Sequence, residues 1–179
     1  RFWGPREMFE QVNVQGTANM LEAAMRHGAQ RFVYISTVAV VGIPENGRVI
    51  DETYHCQPVD AYQRSKFDAE NMVRMFARST KFPAIILRPG AFYGPWSHYA
   101  WNRLLFEDPL RGLRIRIHKG QRLTFPAFVP DVAQGIIAAL KTADAVGERI
   151  HLATDRRITS ARMKDIVKEE LNLSIRLRE

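Results

Sequence analysis

The sequence predicts an α/β fold in which a doubly wound parallel sheet carries helices on both faces. Two short and continuously apolar runs, residues 32–35 and 84–87, are typical of strands buried in a parallel sheet. Segments of helical length separate the runs, with apolar residues recurring every three to four positions. Strands that alternate with helices in this way form βαβ units, and 179 residues are enough to bury a core.

The first predicted helix spans residues 5–27 and ends at Gly28, a common helix stop. Phe32–Ile35 is then the first strand, and it leads into the polar pair that ends with Thr37. Residues 43–59 are rich in Pro, Gly, Asn and charge, which predicts a loop.

A second long helix is expected to begin after Asp60, which can cap it, and to end near Thr80. The second buried strand, residues 84–87, leads into Arg88, Pro89 and Gly90. The remaining predicted elements are a strand at 113–118, a helix at 132–141 capped by Asp131, a strand at 148–153 and a helix at 160–171.

The composition narrows the class of partner. The net charge is +7, but the arginines are spread along the chain. The densest run, residues 111–122, alternates basic and apolar residues as a half-exposed strand does, so we expect no nucleic-acid partner. There is no run of eighteen apolar residues, which predicts no membrane span.

Cys56 is the single cysteine, which excludes an internal disulfide and predicts a reducing, cytoplasmic location. The five histidines lie at no metal-ligand spacing, so no metal site is assigned.

Tyr62 and Lys66 stand four residues apart in the second predicted helix, so they share one face. A tyrosine alone titrates near ~10, which makes it a weak base at neutral pH. A neighbouring ammonium stabilises the phenolate and brings the group into a useful range for proton transfer. The pair therefore predicts an acid/base site.

The predicted topology brings other groups to this pair. In open α/β sheets ligands bind beyond the carboxyl ends of the strands. The first strand delivers Ser36 and Thr37 to that edge, and the second delivers Pro89 and Gly90. A hydroxyl, the tyrosine with its lysine, and a Pro-Gly turn are expected to converge on one cleft.

Four segments occur in the order typical of one family: Asn13–Ala24 (NVQGTANMLEAA), Arg31–Thr37 (RFVYIST), Tyr62–Lys66 (YQRSK) and Leu87–Pro95 (LRPGAFYGP). In these motifs the chain resembles the extended short-chain dehydrogenase/reductase family, also called the NAD-dependent epimerase/dehydratase family. The resemblance implies a Rossmann-like sheet and covers nearly the whole chain.

The resemblance also implies roles for individual residues. Tyr62 would exchange a proton with the substrate oxygen while hydride passes to or from a nicotinamide ring. Lys66 would hold the nicotinamide ribose and lower the pKa of Tyr62, and Thr37 would hydrogen-bond the substrate oxygen. Asn13 and the Pro89–Gly90 turn correspond to positions that line NAD or NADP.

Other interpretations stay open from the sequence. Thr37, Lys66, Asn13 and the Pro89–Gly90 turn each have a structural explanation when taken singly. A second class of function is a non-catalytic member of the same fold that senses a dinucleotide or binds a protein. An inactive fragment is a third. The resemblance implies a homodimer through the helices that hold Asn13 and Tyr62.

The sequence departs from the family pattern at its start, where no Gly-rich phosphate-binding turn occurs. We therefore expect the middle and C-terminal parts of a longer protein: a Rossmann-like sheet that is partial, lacking the first βαβ units. A gene fragment and a divergent protein that has lost cofactor binding are the alternatives. The strand at 32–35 would then offer an open apolar edge, which predicts poor solubility or oligomers.

By the same resemblance, residues 1–95 would be the cofactor part, and residues 96–179 a small, mixed substrate-binding portion returning to the Rossmann core. The substrate would be a small hydroxy or keto compound, such as a sugar nucleotide or a steroid. Thr37 is followed by Val38-Ala39, where the family's sugar dehydratases carry Asp-Glu, which argues against dehydration. Compared with the family pattern, Val41 and Phe128 make the cleft less polar, which favours a reductase or hydroxysteroid-dehydrogenase-like member that acts on a less polar substrate.

Overall fold

The computed structural model describes residues 4–44, 50–96, 102–103, 107, 123–154 and 158–170. The chain forms two compact units. The first comprises residues 1–89 and 133–152, and the second residues 90–132 and 153–179. Residues 133–152 group with the first unit, whose sheet they complete; the functional division at residue 95 stays a prediction.

The first helical stretch confirms the helix predicted at 5–27, with one change. It consists of α1, Arg6–Phe9, then a π-helical segment, Glu10–Gln15, and then α2, Gly16–Arg26. Periodicity did not predict the π segment, because π turns leave little trace in an apolar pattern. Such turns often occur at functional sites.

Helix α3, Ala61–Thr80, follows the predicted bounds closely. The Asp60 side chain caps it by accepting a hydrogen bond of 2.8 Å from the Gln63 backbone N–H, as expected. Residues Val38–Val41 form a 3-10 helix that the sequence reasoning did not predict. Thr37 caps that short helix.

A three-stranded parallel sheet forms the centre of the first unit, and it confirms the predicted sheet type. Strand β1, Phe32–Ile35, pairs with β2, Ala84–Pro89, in the register Phe32 to Ala84. On its other side β2 pairs with β6, Arg149–Leu152, in the register Ile86 to Arg149. The central strand β2 is buried along its whole length, as its apolar run predicted.

Helix α4, Val129–Lys141, begins three residues earlier than predicted. Asp131 therefore lies in its first turn and is not its N-cap, a correction to the sequence analysis. Asp131 still suits this position, because an acidic side chain near a helix N-terminus interacts favourably with the helix dipole. At the other end, the Arg31 guanidinium donates to the carbonyls of Leu140 and Thr142, at 2.8 and 2.7 Å.

The core of the first unit has a layer on each face of the sheet. Alternate residues of β2 point to opposite faces, so each layer takes half of the strand. One layer joins α2 and α3 to the sheet through Leu21, Tyr34, Ala69, Val73, Ala84 and Ile86. The other joins α4 to the sheet through Ile85, Leu87, Ala139 and Ala145.

The second unit contains two strand pairs and a helix. Strand β3, Ala91–Tyr93, runs parallel to β5, Pro126–Phe128, and β4, Leu123–Thr124, runs antiparallel to β7, Ile158–Thr159. Helix α5 spans Ser160–Glu170, as predicted. The strand predicted at 113–118 and the basic run at 111–122 lie outside the described residues.

Across the described ranges, no helix combines the length and the apolar character that crossing a bilayer requires.

Candidate active site

The first turns of α3 present Tyr62 and Lys66 on one face, one turn apart. Both side chains are half-buried. The helix is anchored here by the Asp60 cap and by the Val59 N–H, which donates to the Gln63 side-chain oxygen at 2.9 Å. The start of the helix is thus fixed by local hydrogen bonds, which hold Tyr62 in the first turn.

The Thr37 hydroxyl lies close enough to the Tyr62 phenol to lower its pKa. The Thr37 oxygen also accepts a hydrogen bond of 3.2 Å from the Ala39 backbone N–H, which orients it for the tyrosine. The Phe9 ring packs edge-on against the Tyr62 ring with centroids 6.0 Å apart. The joint action of Tyr62 and Thr37 on a substrate oxygen stays a prediction.

Burial raises the pKa of Tyr62, the Thr37 hydrogen bond lowers it, and the Asp60 charge raises it again. The net direction is upward. This is opposite to the lowering that the resemblance implied, so in this structure Tyr62 is the protonated phenol at neutral pH. A phenol in this state is prepared to donate a proton rather than to accept one.

Lys66 is half-buried beside the carboxyl end of β1. Its Nζ donates to the Ile35 carbonyl at 2.7 Å and lies 4.4 Å above the centroid of the Tyr34 ring. Burial lowers the pKa of Lys66 to about 8, although the Glu70 carboxylate opposes this effect. The ammonium is directed at a carbonyl and a ring, which explains why Tyr62 lacks the expected stabilisation of its phenolate.

Asn13 reaches the same helix from the π segment. Its Nδ2 donates to the Ser65 hydroxyl at 2.9 Å, and Ser65 in turn donates to the Tyr62 carbonyl at 2.8 Å. The Asn13 carbonyl accepts from the Thr17 hydroxyl at 2.6 Å. Ser65 was missed by the sequence reasoning, although its place inside the Tyr62–Lys66 motif was a usable signal.

A buried ion pair between Arg88 and Glu70 lies near the site, and it too was not predicted from the sequence. The Arg88 guanidinium binds the Glu70 carboxylate through two hydrogen bonds, of 2.9 and 2.6 Å. Arg88 is 0 % and Glu70 1 % exposed. Each buried charge is therefore stabilised by the other, because a buried charge without a partner is costly. The signal in the sequence was weak: Glu70 follows Lys66 by one helical turn, and Arg88 precedes Pro89.

Pro89 ends β2 beside the end of β1, because the Ser36 N–H donates to the Leu87 carbonyl at 2.7 Å. Gly90 has a clear packing role in the second unit. A Cβ at Gly90 would lie 1.9 Å from the Phe125 carbonyl oxygen, so a side chain is excluded there. A cofactor contact at Pro89 or Gly90 stays a prediction.

Two further groups near the edge of the sheet have structural explanations. Val41, expected to make a cleft less polar, is buried against Cys56 and Val40 and belongs to a small cluster. Burial raises the pKa of the Cys56 thiol, which agrees with an unreactive cysteine.

The sequence of the chain matches a known protein family. The model of the NAD dependent epimerase/dehydratase family matches residues 3–153. The chain belongs to this family. The family resemblance of the sequence motifs is thereby confirmed, and so is the α/β Rossmann-like fold, which solved family structures share.

An uncharacterized UDP-glucose epimerase of Bacillus subtilis is 26 % identical to the chain over 159 residues. The match covers 88 % of this chain and 50 % of that relative, so the chain spans about half the length of the curated relatives it matches.

Two solved structures extend this comparison. A dTDP-glucose 4,6-dehydratase of Streptomyces venezuelae, solved with NAD, has a TM-score of 0.82 at 26 % identity. The match covers 93 % of this chain and 52 % of the dehydratase. A UDP-glucuronic acid 4-epimerase of Bacillus cereus, also solved with NAD, has a TM-score of 0.85 at 24 % identity; the match covers 97 % of this chain and 57 % of that one.

Proposed function

We propose that the chain carries the acid/base site and part of the cofactor site of an NAD(P)-dependent oxidoreductase that interconverts a secondary alcohol and its ketone. The observation that carries this proposal is the placement of Tyr62 and Lys66 one helical turn apart on α3, with the Thr37 hydroxyl close enough to the Tyr62 phenol to lower its pKa. Membership of a family described as NAD-dependent epimerases and dehydratases supports it.

In this proposal Tyr62 gives its proton to the substrate oxygen when the ketone is reduced. The raised pKa of Tyr62 favours the protonated phenol, the form that donates. Thr37 holds the same oxygen through its hydroxyl, which the Ala39 N–H already orients. In the reverse direction the Tyr62 phenolate, the form left after proton donation, accepts the proton of the alcohol.

Lys66 fits the ribose of a nicotinamide cofactor. An ammonium has three donors, and in the described part of the chain Lys66 uses one of them, toward the Ile35 carbonyl. Two donors on a half-buried cation suit a pair of ribose hydroxyls. The cofactor supplies the hydride or accepts it. The chain holds the ribose of the cofactor, positions the Tyr62 proton and partly shields the site from water.

The proposed chemistry is epimerisation or simple reduction, not dehydration. Elimination of water needs an additional acid or base near the reacting carbon. Val38–Val41 follow Thr37 and contain no carboxylate. A sugar nucleotide is the substrate class that the relatives support, since their names refer to UDP-glucose, UDP-glucuronic acid and dTDP-glucose.

The test is a titration of the 179-residue chain with NADH and with NADPH, read by nicotinamide fluorescence. We expect saturable binding that Lys66→Met weakens at least tenfold, because the ribose loses its donor. Arg26→Gln, an exposed cation on α2, is the matched control and should leave the affinity within twofold. The NADH to NADPH ratio of affinities identifies the preferred cofactor.

A second experiment distinguishes an enzyme from a non-catalytic protein that senses a dinucleotide. The cofactor-loaded chain is mixed with UDP-glucose or UDP-glucuronic acid, and product sugars are separated by chromatography. Turnover that Tyr62→Phe abolishes supports the enzyme. Cofactor binding without turnover by any of a panel of nucleotide sugars, sterols and flavanones supports the non-catalytic alternative.

A further inference from the structure

A second concave site lies beside the last turns of α3. It is a cavity of about 350 Å³ in the first unit, formed by α3, by the turn into β2 and by the segment that enters β6. Ala84 and Arg149, which begin β2 and β6, line it. It therefore opens at the amino ends of the strands, whereas Tyr62 and Thr37 lie at the carboxyl ends.

The lining of this cavity is strongly cationic. Arg74, Arg78, Lys81 and Arg149 line it, with Glu148 as the carboxylate among the lining residues. Arg74 and Arg149 are half-buried, and Arg78 and Lys81 are exposed at the rim. From Tyr62 to Arg74 the helix rises by about 18 Å, so the cavity is separate from the acid/base site.

These cations have no side-chain partner among the residues that the structure describes. Within the described residues, the side chains of Arg74, Arg78, Lys81 and Arg149 form no hydrogen bond or salt bridge. The nearest buried carboxylate, Glu70, is already bound through both oxygens by Arg88. The positive charge of the cavity is therefore not neutralised by that group.

The charges also act on one another. Burial lowers the pKa of Arg74, and the neighbouring charges of Arg149 and Arg78 lower it further, with Glu70 in opposition. Like charges held together at a half-buried site are unfavourable. A concave surface lined by one sign of charge concentrates counter-ions. A bound anion would remove the repulsion.

We propose that this cavity binds an anion that carries a phosphoryl group, with Arg74 and Arg149 as the principal ligands and Arg78 and Lys81 as rim charges. The planar guanidinium matches two phosphate oxygens at once, which favours phosphate over a halide. The cavity volume accommodates one or two phosphoryl groups. This site is additional to the proposed oxidoreductase site and does not depend on it.

The test is calorimetric titration of the 179-residue chain with inorganic phosphate and with pyrophosphate at constant ionic strength. We expect saturable binding with a stoichiometry of one. Arg74→Gln/Arg149→Gln should weaken binding at least tenfold. The charge-matched control Arg26→Gln/Arg162→Gln, at cations outside the cavity, should change it less than twofold.

The absence of saturable binding by the wild-type chain would overturn the proposal, and so would equal weakening by the control, which would assign the effect to net charge. Lys81→Asn is a second cavity variant. It keeps the fold, because Asn tolerates the positive φ of 61° found at Lys81. It should weaken binding about threefold, and an unchanged affinity contradicts the rim assignment.

Two sources of the phosphoryl group can be separated. Ribose 5-phosphate that binds as tightly as phosphate identifies a phosphoryl group carried on a larger ligand, whereas binding of phosphate and pyrophosphate without binding of ribose 5-phosphate identifies the free anion. Tyr62→Phe/Lys66→Met should bind pyrophosphate as the wild type does. This result distinguishes failure of the anion site from failure of the oxidoreductase proposal.

Discussion

The two halves of α3 hold half-buried cations in contrasting surroundings. In the first half, Lys66 has a strand carbonyl and an aromatic ring as partners. In the second half, Arg74 lines a cavity beside two other arginines. Between them, Glu70 and Arg88 form a closed pair. The same helix therefore supports a pre-organised site at one end and a site with unbalanced charge at the other.

The difference comes from the strands and not from the helix. The carboxyl end of β1 brings the Ile35 carbonyl and the Thr37 hydroxyl to the helix. The amino ends of β2 and β6 bring Arg149 to its other end. The direction of the parallel strands therefore decides which groups meet each half of the helix.

The largest expected effect is on catalysis at the first half of the helix. Tyr62→Phe removes the phenolic proton but keeps the ring that packs on Phe9. We expect the turnover number to fall by about 10²–10⁴-fold, the usual contribution of a positioned acid or base. The measurement is steady-state turnover of a nucleotide sugar by the cofactor-loaded chain. A loss below tenfold would remove Tyr62 from the proton transfer.

The next effect concerns the closed pair between the two halves. Arg88→Met leaves the Glu70 carboxylate buried without its partner, and breaking such a pair costs about 3–5 kcal/mol of stability. Arg74→Gln, at a cation on the same helix without a side-chain partner among the described residues, should change the free energy of unfolding by less than about 0.5 kcal/mol. Urea denaturation measures both. Similar losses in the two variants would contradict the contrast between paired and unpaired cations.

The third effect is a pH dependence at Lys66. Burial lowers its pKa to about 8 in the folded chain, below the ~10.4 of an unfolded lysine. The unfolded chain therefore binds more protons between these values. The contribution of Lys66 to stability rises as pH increases from about 8 toward ~10.4, by at most ~1.4 kcal/mol per pH unit.

Lys66→Met removes that contribution. Urea denaturation of the wild type and of Lys66→Met at pH 7, 8 and 9.5 should show the wild type gaining stability relative to the variant at the highest pH. The difference isolates Lys66, since other groups titrate in both proteins. Parallel profiles would mean that the ammonium is not disfavoured in the folded chain.

The smallest effect is at the first turn of α3. Asp60→Ala removes the side chain that accepts the Gln63 N–H, and loss of an N-cap costs about 1 kcal/mol. Asp60→Asn keeps an acceptor and should cost less. Asp68→Ala, inside the same helix, is the control for a lost carboxylate. Thermal unfolding of the three variants checks the order, and an equal loss in all three would exclude the cap as the cause.

Much of the fold could be predicted because its signals are local. The bounds of α3, its Asp60 cap and the strands at 32–35 and 84–87 follow from periodicity and from residues adjacent in sequence. The parallel sheet followed from the alternation of strands and helices. The start of α4 was predicted wrongly, because Asp131 suits the first turn as well as the cap.

The candidate site likewise has features that could be predicted from the sequence and features that could not. Which residues could do chemistry follows from the sequence alone, because Tyr62 and Lys66 share a helical face and Thr37 follows a strand. Only the tertiary structure decided their partners: Lys66 with Ile35, Asn13 with Ser65, and Glu70 with Arg88. The physical reason is that a partner's identity depends on strand register and burial, which residues far apart in sequence set together.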